Sequence, residues 1–400
     1  MNNISVVGDK CTGCTACYNV CPVNAIKMIE DKKGFKYPII DKDKCINCGK
    51  CYRTCPILSS NDNNYPKDYY AFCTSNNKIW KKSSSGGAFT EICKSYDELI
   101  NKSNKKNYKL YIYGANMNED LKIKHISCNI EDINKLRKSK YVQSDLEKNF
   151  TEIKEKLDNN DYVIFSGTPC QVTGLKMFLG KKYDRLLLID IACHGVGSIV
   201  VFNKCKELIE KKFNKKIINY EFRYKGLLST PDERYMIKYT FADNSSKVNN
   251  NDIYMNLFLN ELCLRKSCGF NCIFRNKKRF SDVTIADFNG KSKLLPKLYD
   301  KRNYSTIIFN SDKSLELIKY LSSKGNLIKC SEEQIKQSNK IIFENVSKKE
   351  ISKDNMIYND ITDDDFTKII EKYSTNRISW KKYVPYLFKY IYNNIFRSKQ

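Results

Sequence analysis

Within the first sixty residues, four cysteines spaced two, two and three residues apart and closed by a proline occur twice, as CTGCTACYNVCP from Cys11 and CINCGKCYRTCP from Cys45. No other feature limits the fold as severely. A chain of 400 residues buries a core without disulfide staples, so these thiols are not there to compensate for small size. Their even spacing suits ligands wrapped around a metal centre. Eighteen cysteines stand against only two histidines, His125 and His194, which lie too far apart for an HExxH zinc protease. No CxxCH offers a haem attachment, and nothing supports a Ser-His-Asp hydrolase.

Over residues 4 to 58 the repeat resembles the ligand runs of bacterial two-cluster ferredoxins. Three thiolates two residues apart wrap one iron-sulfur cube, and the fourth departs on a short segment toward the other. That crossing assigns Cys11, Cys14, Cys17 and Cys55 to one 4Fe-4S cluster and Cys45, Cys48, Cys51 and Cys21 to the second. Pro22 and Pro56 turn the chain after each fourth ligand. The alternative, a pair of zinc knuckles, uses two CxxC pairs and needs neither the third cysteine nor the Cys-Pro. The resemblance implies electron transfer and names neither donor nor acceptor.

The organisation that follows is mixed α+β or α/β. Residues 1–60 are the cysteine-dense ferredoxin-like domain, and Asn61 to Lys67 (NDNNYPK) is a turn-rich boundary. Residues 68–330 alternate short apolar runs with amphipathic stretches. Strands are expected at Tyr69–Cys73, Leu110–Gly114, Tyr162–Ser166, Leu186–Ile191, Ile218–Tyr224, Tyr235–Phe241, Ser281–Asp287 and Thr306–Phe309. Helices are expected at Ala88–Leu99, Asp145–Leu157, Gln171–Leu179, Ser198–Phe213 and Lys313–Leu321, with a solvated loop at Asn101–Lys109. Residues 331–400 form a helical extension ending in a basic, aromatic tail.

Ten cysteines lie outside the repeat. Cys170 and Cys193 each follow a predicted strand, and Cys268 and Cys272 sit in RKSCGFNC. Ends of neighbouring parallel strands lie side by side, so Cys170 and Cys193 are able to meet at one sheet edge; buried free cysteines are the alternative. Cys73, Cys93, Cys128, Cys205, Cys263 and Cys330 take no assigned role. KKSSSGGAF, before a helix, presents free amides that suit a phosphate, or simply an N-capped turn.

Taken in order, SSSGGAFTEIC, SKYVQSDL, FSGTPCQVTGL, LLLIDIACHGVGS, CLRKSCGFNCIF and SDVTIADFNG resemble the successive motifs of the coenzyme F420 hydrogenase/dehydrogenase beta subunit family, across roughly residues 1 to 330. The resemblance implies an FAD-binding domain with its own 4Fe-4S cluster. Electrons would pass between the clusters and coenzyme F420 or another two-electron substrate. Ser85, Gly86 and Gly87 would then cradle the flavin pyrophosphate, and Lys140, Tyr141, Gln143, Ser144, Gly167 and Thr168 would line the flavin site. Cys170, Cys193, Cys268 and Cys272 would hold the third cluster. The C-x3-C at Cys268 departs from the family's C-x2-C and leaves Cys263 in reserve. Asn289 stands where the family commonly has tryptophan, and Asp287 either orients a ligand or caps a turn. No catalytic side chain is assigned: His194 beside Cys193 hydrogen-bonds or packs, and His125 is structural.

The formal charge is +25, from 70 basic and 45 acidic residues. The excess is lysine, which with abundant asparagine fits an AT-rich genome; phosphate readout favours arginine, and no nucleic-acid motif accompanies the charge. The start MNNISVVGDKC has no apolar h-region and no uncharged stretch is long enough to span a membrane, so the expected setting is cytoplasmic. Val384, Phe388, Ile391 and Ile395 recur at helical spacing in the tail, which either packs on its own protein, lies at the membrane's inner face or docks on a partner. A non-catalytic electron-transfer subunit, or a reductase partner in surface-polysaccharide biosynthesis, is the alternative function.

Overall fold

The computed structural model describes residues 3–59, 64–103, 108–226 and 236–346. The predicted tail, with the rest of the extension past residue 346, lies outside them, as do positions 61–63 of the boundary and Tyr235.

The amino-terminal module pairs a short hairpin, β1 (Ile26–Glu30) with β2 (Lys36–Ile40), with two single-turn helices, α1 (Ala16–Val20) and α2 (Lys50–Arg53). Each helix starts inside a cysteine run, and the residue before each, Thr15 and Gly49, is left-handed. The hairpin was not predicted; it occupies the span between the two runs.

The remainder is built on strands β3 (Asp68–Thr74), β4 (Leu110–Met117), β5 (Ile123–Cys128), β6 (Tyr162–Gly167), β7 (Leu186–Ile191), β8 (Ile217–Glu221), β9 (Ile237–Phe241), β10 (Ser246–Asn249), β11 (Val283–Phe288), β12 (Tyr304–Phe309) and β13 (Gly325–Cys330). Eight of them form one sheet in the order β13-β3-β12-β11-β7-β6-β4-β5, while β10-β9-β8 form a separate antiparallel sheet. The centre, β11-β7-β6-β4, is parallel, and antiparallel strands close both sides.

The apolar runs of β6 and β7 follow from burial on both faces. Val163 and Phe165 of β6 and Leu186 and Leu188 of β7 join one core, with Phe150 and Ile153 of α5 (Asn149–Asp158) and Val172 and Leu175 of α6 (Pro169–Leu179). The alternate residues Ile164, Leu187 and Ile189 join another, under Ile92, Cys93 and Tyr96 of α4 (Ala88–Lys102). In chain order α3 (Asn77–Lys81) precedes α4, and α7 (Ile199–Phe213) and α8 (Ile253–Leu259) pack around the smaller sheet.

Several boundaries differ from expectation for local reasons. Helix α5 starts at Asn149, four residues late, because Asp145 donates its amide to Ile123 O and accepts from His125 N, which ties it to β5. Helix α4 runs on to Lys102, into the predicted loop. The stretch Lys313–Leu321 breaks into helices Asp312–Leu315 and Ile318–Ser322. Strand β13 pairs with β3, and the following helix, Glu332–Ser338, buries Ile335 in the same core as Cys73 and Ile308. Among the described residues no helix is long and apolar enough to cross a membrane.

Candidate functional site

A cleft opens at the carboxyl ends of the parallel strands, where ligands of open α/β sheets collect. Gly114 and Ala115 of β4, Ser166 and Gly167 of β6, Ile191 and the following Ala192–Val196 after β7, and Ile285–Asp287 of β11 line it, with the Ser83–Ser85 turn and residues 137–142 as its rim. Its wall carries cations. Arg223, buried, donates from Nη1 to Asp287 Oδ2 and Tyr141 Oη at 3.0 and 3.1 Å, and from Nη2 to Ser84 O at 3.2 Å. Burial opposes its charge, but Tyr141 and Asp287 outweigh that and hold the guanidinium firmly protonated. Lys138 pairs with Glu221. Lys140 donates to three carbonyls, those of Ala115, Leu136 and Arg137, while burial and then Lys138 lower it to about 7. The floor is a closed polar chain: Thr168 N donates to Gln171 Oε1, Gln171 Nε2 to Ser144 Oγ, and Ser144 Oγ lies 2.8 Å from His125 Nδ1. His125 Nε2 meets Ser166 O at 3.0 Å, and burial lowers the ring to about 4, so the imidazole is neutral.

Seven of the nine residues expected at a flavin, Ser85, Gly87, Lys140, Tyr141, Ser144, Gly167 and Thr168, line this cleft. Gly86 and Gln143 do not. The Gly86 amide is spent on Ser305 Oγ at 2.8 Å, and a Cβ there would stand 2.1 Å from Phe72 O, so this glycine serves a close approach of backbones. Gln143 turns toward the amino-terminal module, donating to Thr12 O at 3.1 Å. Asp287, read as a ligand holder or a turn cap, is the partner of Arg223, a residue the sequence did not single out.

Behind the cleft lies a second cavity, lined by Cys170, Cys193, Cys268 and Cys272 together with Thr12, Arg275 and Arg279. The segment Ala192–Val196 belongs to both cavities. Strands β6 and β7 are parallel neighbours, which sets Cys170, at the start of α6, beside Cys193. Burial pushes the thiols of Cys170 and Cys268 up to about 11 and about 12, and Arg265 pulls the other way at both. Cys263, the reserve candidate, is elsewhere: it sits in the core around α7 and α8 with Cys205. Cys73, Cys93 and Cys330 are likewise buried in apolar cores, as small hydrophobes.

A third cavity, inside the amino-terminal module, is lined by Cys11, Cys14, Cys17 and Cys55 with Ile4, Val7, Met28 and Ile57. Cys55 of the second run thus faces the same space as the first three cysteines of the first run. These four thiols are buried, whereas Cys21, Cys45, Cys48 and Cys51 are partly exposed. Backbone amides approach two of the sulfurs, Gly13 N to Cys11 Sγ at 3.4 Å and Ala25 N to Cys21 Sγ at 3.2 Å. Thr12 lines both this cavity and the one behind the cleft. The thiols ring these spaces, and among the described residues no three Cys, His, Asp or Glu side chains are grouped as a single metal ion would need.

Residues 10–57 match the model of a 4Fe-4S dicluster domain, and residues 37–104 match a second such model. Residues 160–334 match the model that describes the C terminus of the coenzyme F420 hydrogenase/dehydrogenase beta subunit. No curated protein matches the chain. Among solved structures, a chain of the F420-reducing [NiFe] hydrogenase complex from Methanosarcina barkeri is similar at 13% identity and a TM-score of 0.43, over 70% of this chain and 89% of that one. The chain is an iron-sulfur electron-transfer protein that joins a 4Fe-4S dicluster module to a domain of the coenzyme F420 hydrogenase/dehydrogenase beta subunit family.

Proposed function

We propose that the protein is an FAD-dependent iron-sulfur oxidoreductase, passing electrons between 4Fe-4S clusters and a two-electron acceptor, coenzyme F420 or another reducible substrate. The observation that carries this reading is the shared wall: one segment, Ala192–Val196, faces the large cleft on one side and the four cysteines of the second cavity on the other. The donor set fits a cluster there, since four thiols gathered in one desolvating pocket, each pushed up by burial, cannot all bear charge without cationic iron. The lining of the cleft suits a dinucleotide cofactor: the Ser83–Ser85 turn, the buried cation Arg223 and the polar floor of Ser144, Thr168 and Gln171 meet there.

In this reading Cys21, Cys45, Cys48 and Cys51 hold the outer cluster, where a redox partner delivers electrons. Cys11, Cys14, Cys17 and Cys55 hold the inner one, and Cys170, Cys193, Cys268 and Cys272 the third. Arg223 and Lys138 hold the anionic part of the cofactor, and Ser144, fixed by His125 and Gln171, orients its ring. A bound flavin supplies the adaptor between single electrons and a hydride. Tyr141, against Phe222 and Phe258, keeps one side of the cleft dry. The test is anaerobic reduction by a low-potential donor, then reoxidation by deazaflavin, by a nicotinamide and by ferredoxin. Turnover of a two-electron acceptor supports the proposal. Reoxidation by ferredoxin alone would instead make the chain a non-catalytic electron-transfer subunit.

A further inference from the structure

Arg265 is fully buried, at 0% exposure. Its guanidinium donates from Nε to Cys11 O at 2.7 Å, from Nη1 to Gln143 Oε1 at 3.0 Å and from Nη2 to Lys36 O at 2.9 Å. It also lies 4.2 Å from the centre of the Tyr37 ring. Every one of these partners is neutral. Asp145 pairs with Lys36 and Asp9 with Lys266, and among the described residues Arg265 forms no ion pair within 4 Å. Arg275 and Arg279 differ, each having a carboxylate within 4 Å, Glu261 and Asp190.

A guanidinium does not shed its proton, and a buried cation without an anion is among the costliest arrangements in a protein. The missing anion is therefore to be sought among the groups around it. On one side stands the first cysteine run: Cys11 gives its carbonyl, and a Cβ on Gly13 would lie 3.0 Å from Nη1. On the other stands the second cavity, because the Cys268 amide donates to Arg265 O at 2.8 Å and the charge of Arg265 acts on the thiols of both Cys170 and Cys268.

We propose that Arg265 is the counter-cation shared by the inner ferredoxin cluster and the third cluster, fixing their separation and raising the electron affinity of both. The proposal rests on the third cluster assigned above. A 4Fe-4S centre with four thiolate ligands is net negative, so each cluster supplies what the side chain lacks. An electron passed from one such cluster to the other would leave the total charge facing Arg265 unchanged, so the same contact would serve before and after transfer.

The test is an EPR-monitored redox titration of the full anaerobically purified chain, wild type beside Arg265→Met, Arg265→Gln and Arg265→Lys, with iron per chain measured in each. Removing the charge in Arg265→Met should shift the inner and third reduction equilibria about tenfold toward oxidation, about 59 mV for a one-electron couple. The outer cluster should stay where it is, and Arg265→Lys should recover most of the shift. Unmoved inner and third midpoints in the neutral variants overturn the proposal, and so does an equal shift of all three clusters. If Arg265→Met loses iron, Arg265→Gln carries the same reading, since it keeps a donor for Cys11 O. Iron lost in both neutral variants but kept in Arg265→Lys supports a charge requirement, whereas loss in all three marks a steric role and overturns it. A wild-type chain with about eight irons would retire the third cluster, and the inner midpoint in Arg265→Met would still decide the role of Arg265.

Discussion

The two inner cysteine sites present the same ligand chemistry in opposite surroundings. The cavity of Cys11, Cys14, Cys17 and Cys55 is walled by Ile4, Val7, Met28 and Ile57, and the charges acting most on these buried thiols are other cysteines. The cavity of Cys170, Cys193, Cys268 and Cys272 is rimmed by Arg275 and Arg279, each beside a carboxylate, and these two arginines counter the effect of burial on the Cys272 thiol. Charge around a cluster is one of the levers on its potential. If clusters occupy both sites, the walls rather than the ligands should set the difference between their potentials, and the variants below test that expectation.

The largest effect should come from removing a ligand on the arginine side. Cys193→Ser should cost about four irons per chain, retain the outer and inner clusters, and leave a flavin that the clusters no longer reduce. Iron analysis and stopped-flow absorbance check both parts; the equivalent change at Cys14 should spare the third cluster. Next, Arg279→Leu leaves Asp190 buried without its cation, 3.7 Å away in the wild type, and should cost about 3–5 kcal/mol in chemical denaturation. Ile57→Ala at the apolar site, where the side chain is partly buried, leaves no such charge behind and should cost less, about 1–2 kcal/mol.

A smaller effect is expected where the two regions touch. Gly174 of α6 approaches Cys14 so closely that a Cβ would stand 2.9 Å from its Sγ. Gly174→Ala should therefore cost about 1–2 kcal/mol, overpacking exceeding the gain in helix propensity, and should perturb the inner cluster's EPR signal before the third's. The smallest effect concerns the cleft floor. His125 has its folded value lowered to about 4 from an ordinary 6.5, so the unfolded chain binds the proton more readily between those values. Stability should fall as pH drops from about 6.5 toward 4, by on the order of 1 kcal/mol at pH 5.5, and His125→Gln should flatten that slope in urea titrations.

The same contrast explains what was legible in the sequence. The ferredoxin run is local: three thiols two residues apart are read directly, and the fourth follows from crossing. Cys170 and Cys193 were placed by a weaker rule, the adjacency of parallel strand ends, which holds because β6 and β7 bury both faces and lie side by side. Arg223, Arg265, Arg275 and Arg279 carried no signal, since an arginine in a sequence reads as surface until tertiary contacts bury it. Gln143 and Gly86 fell in the right motifs, yet their polar groups were already committed, one to the ferredoxin module and the other to β12. Spacing identifies a segment; which side of the backbone a side chain serves is set only when the sheet is assembled.

The central claim is a line of three clusters ending at a flavin cleft. Quantifying iron and released flavin per chain after anaerobic purification or reconstitution tests it most directly. The account predicts about twelve irons and one FAD, whereas about eight irons with no flavin would contradict it.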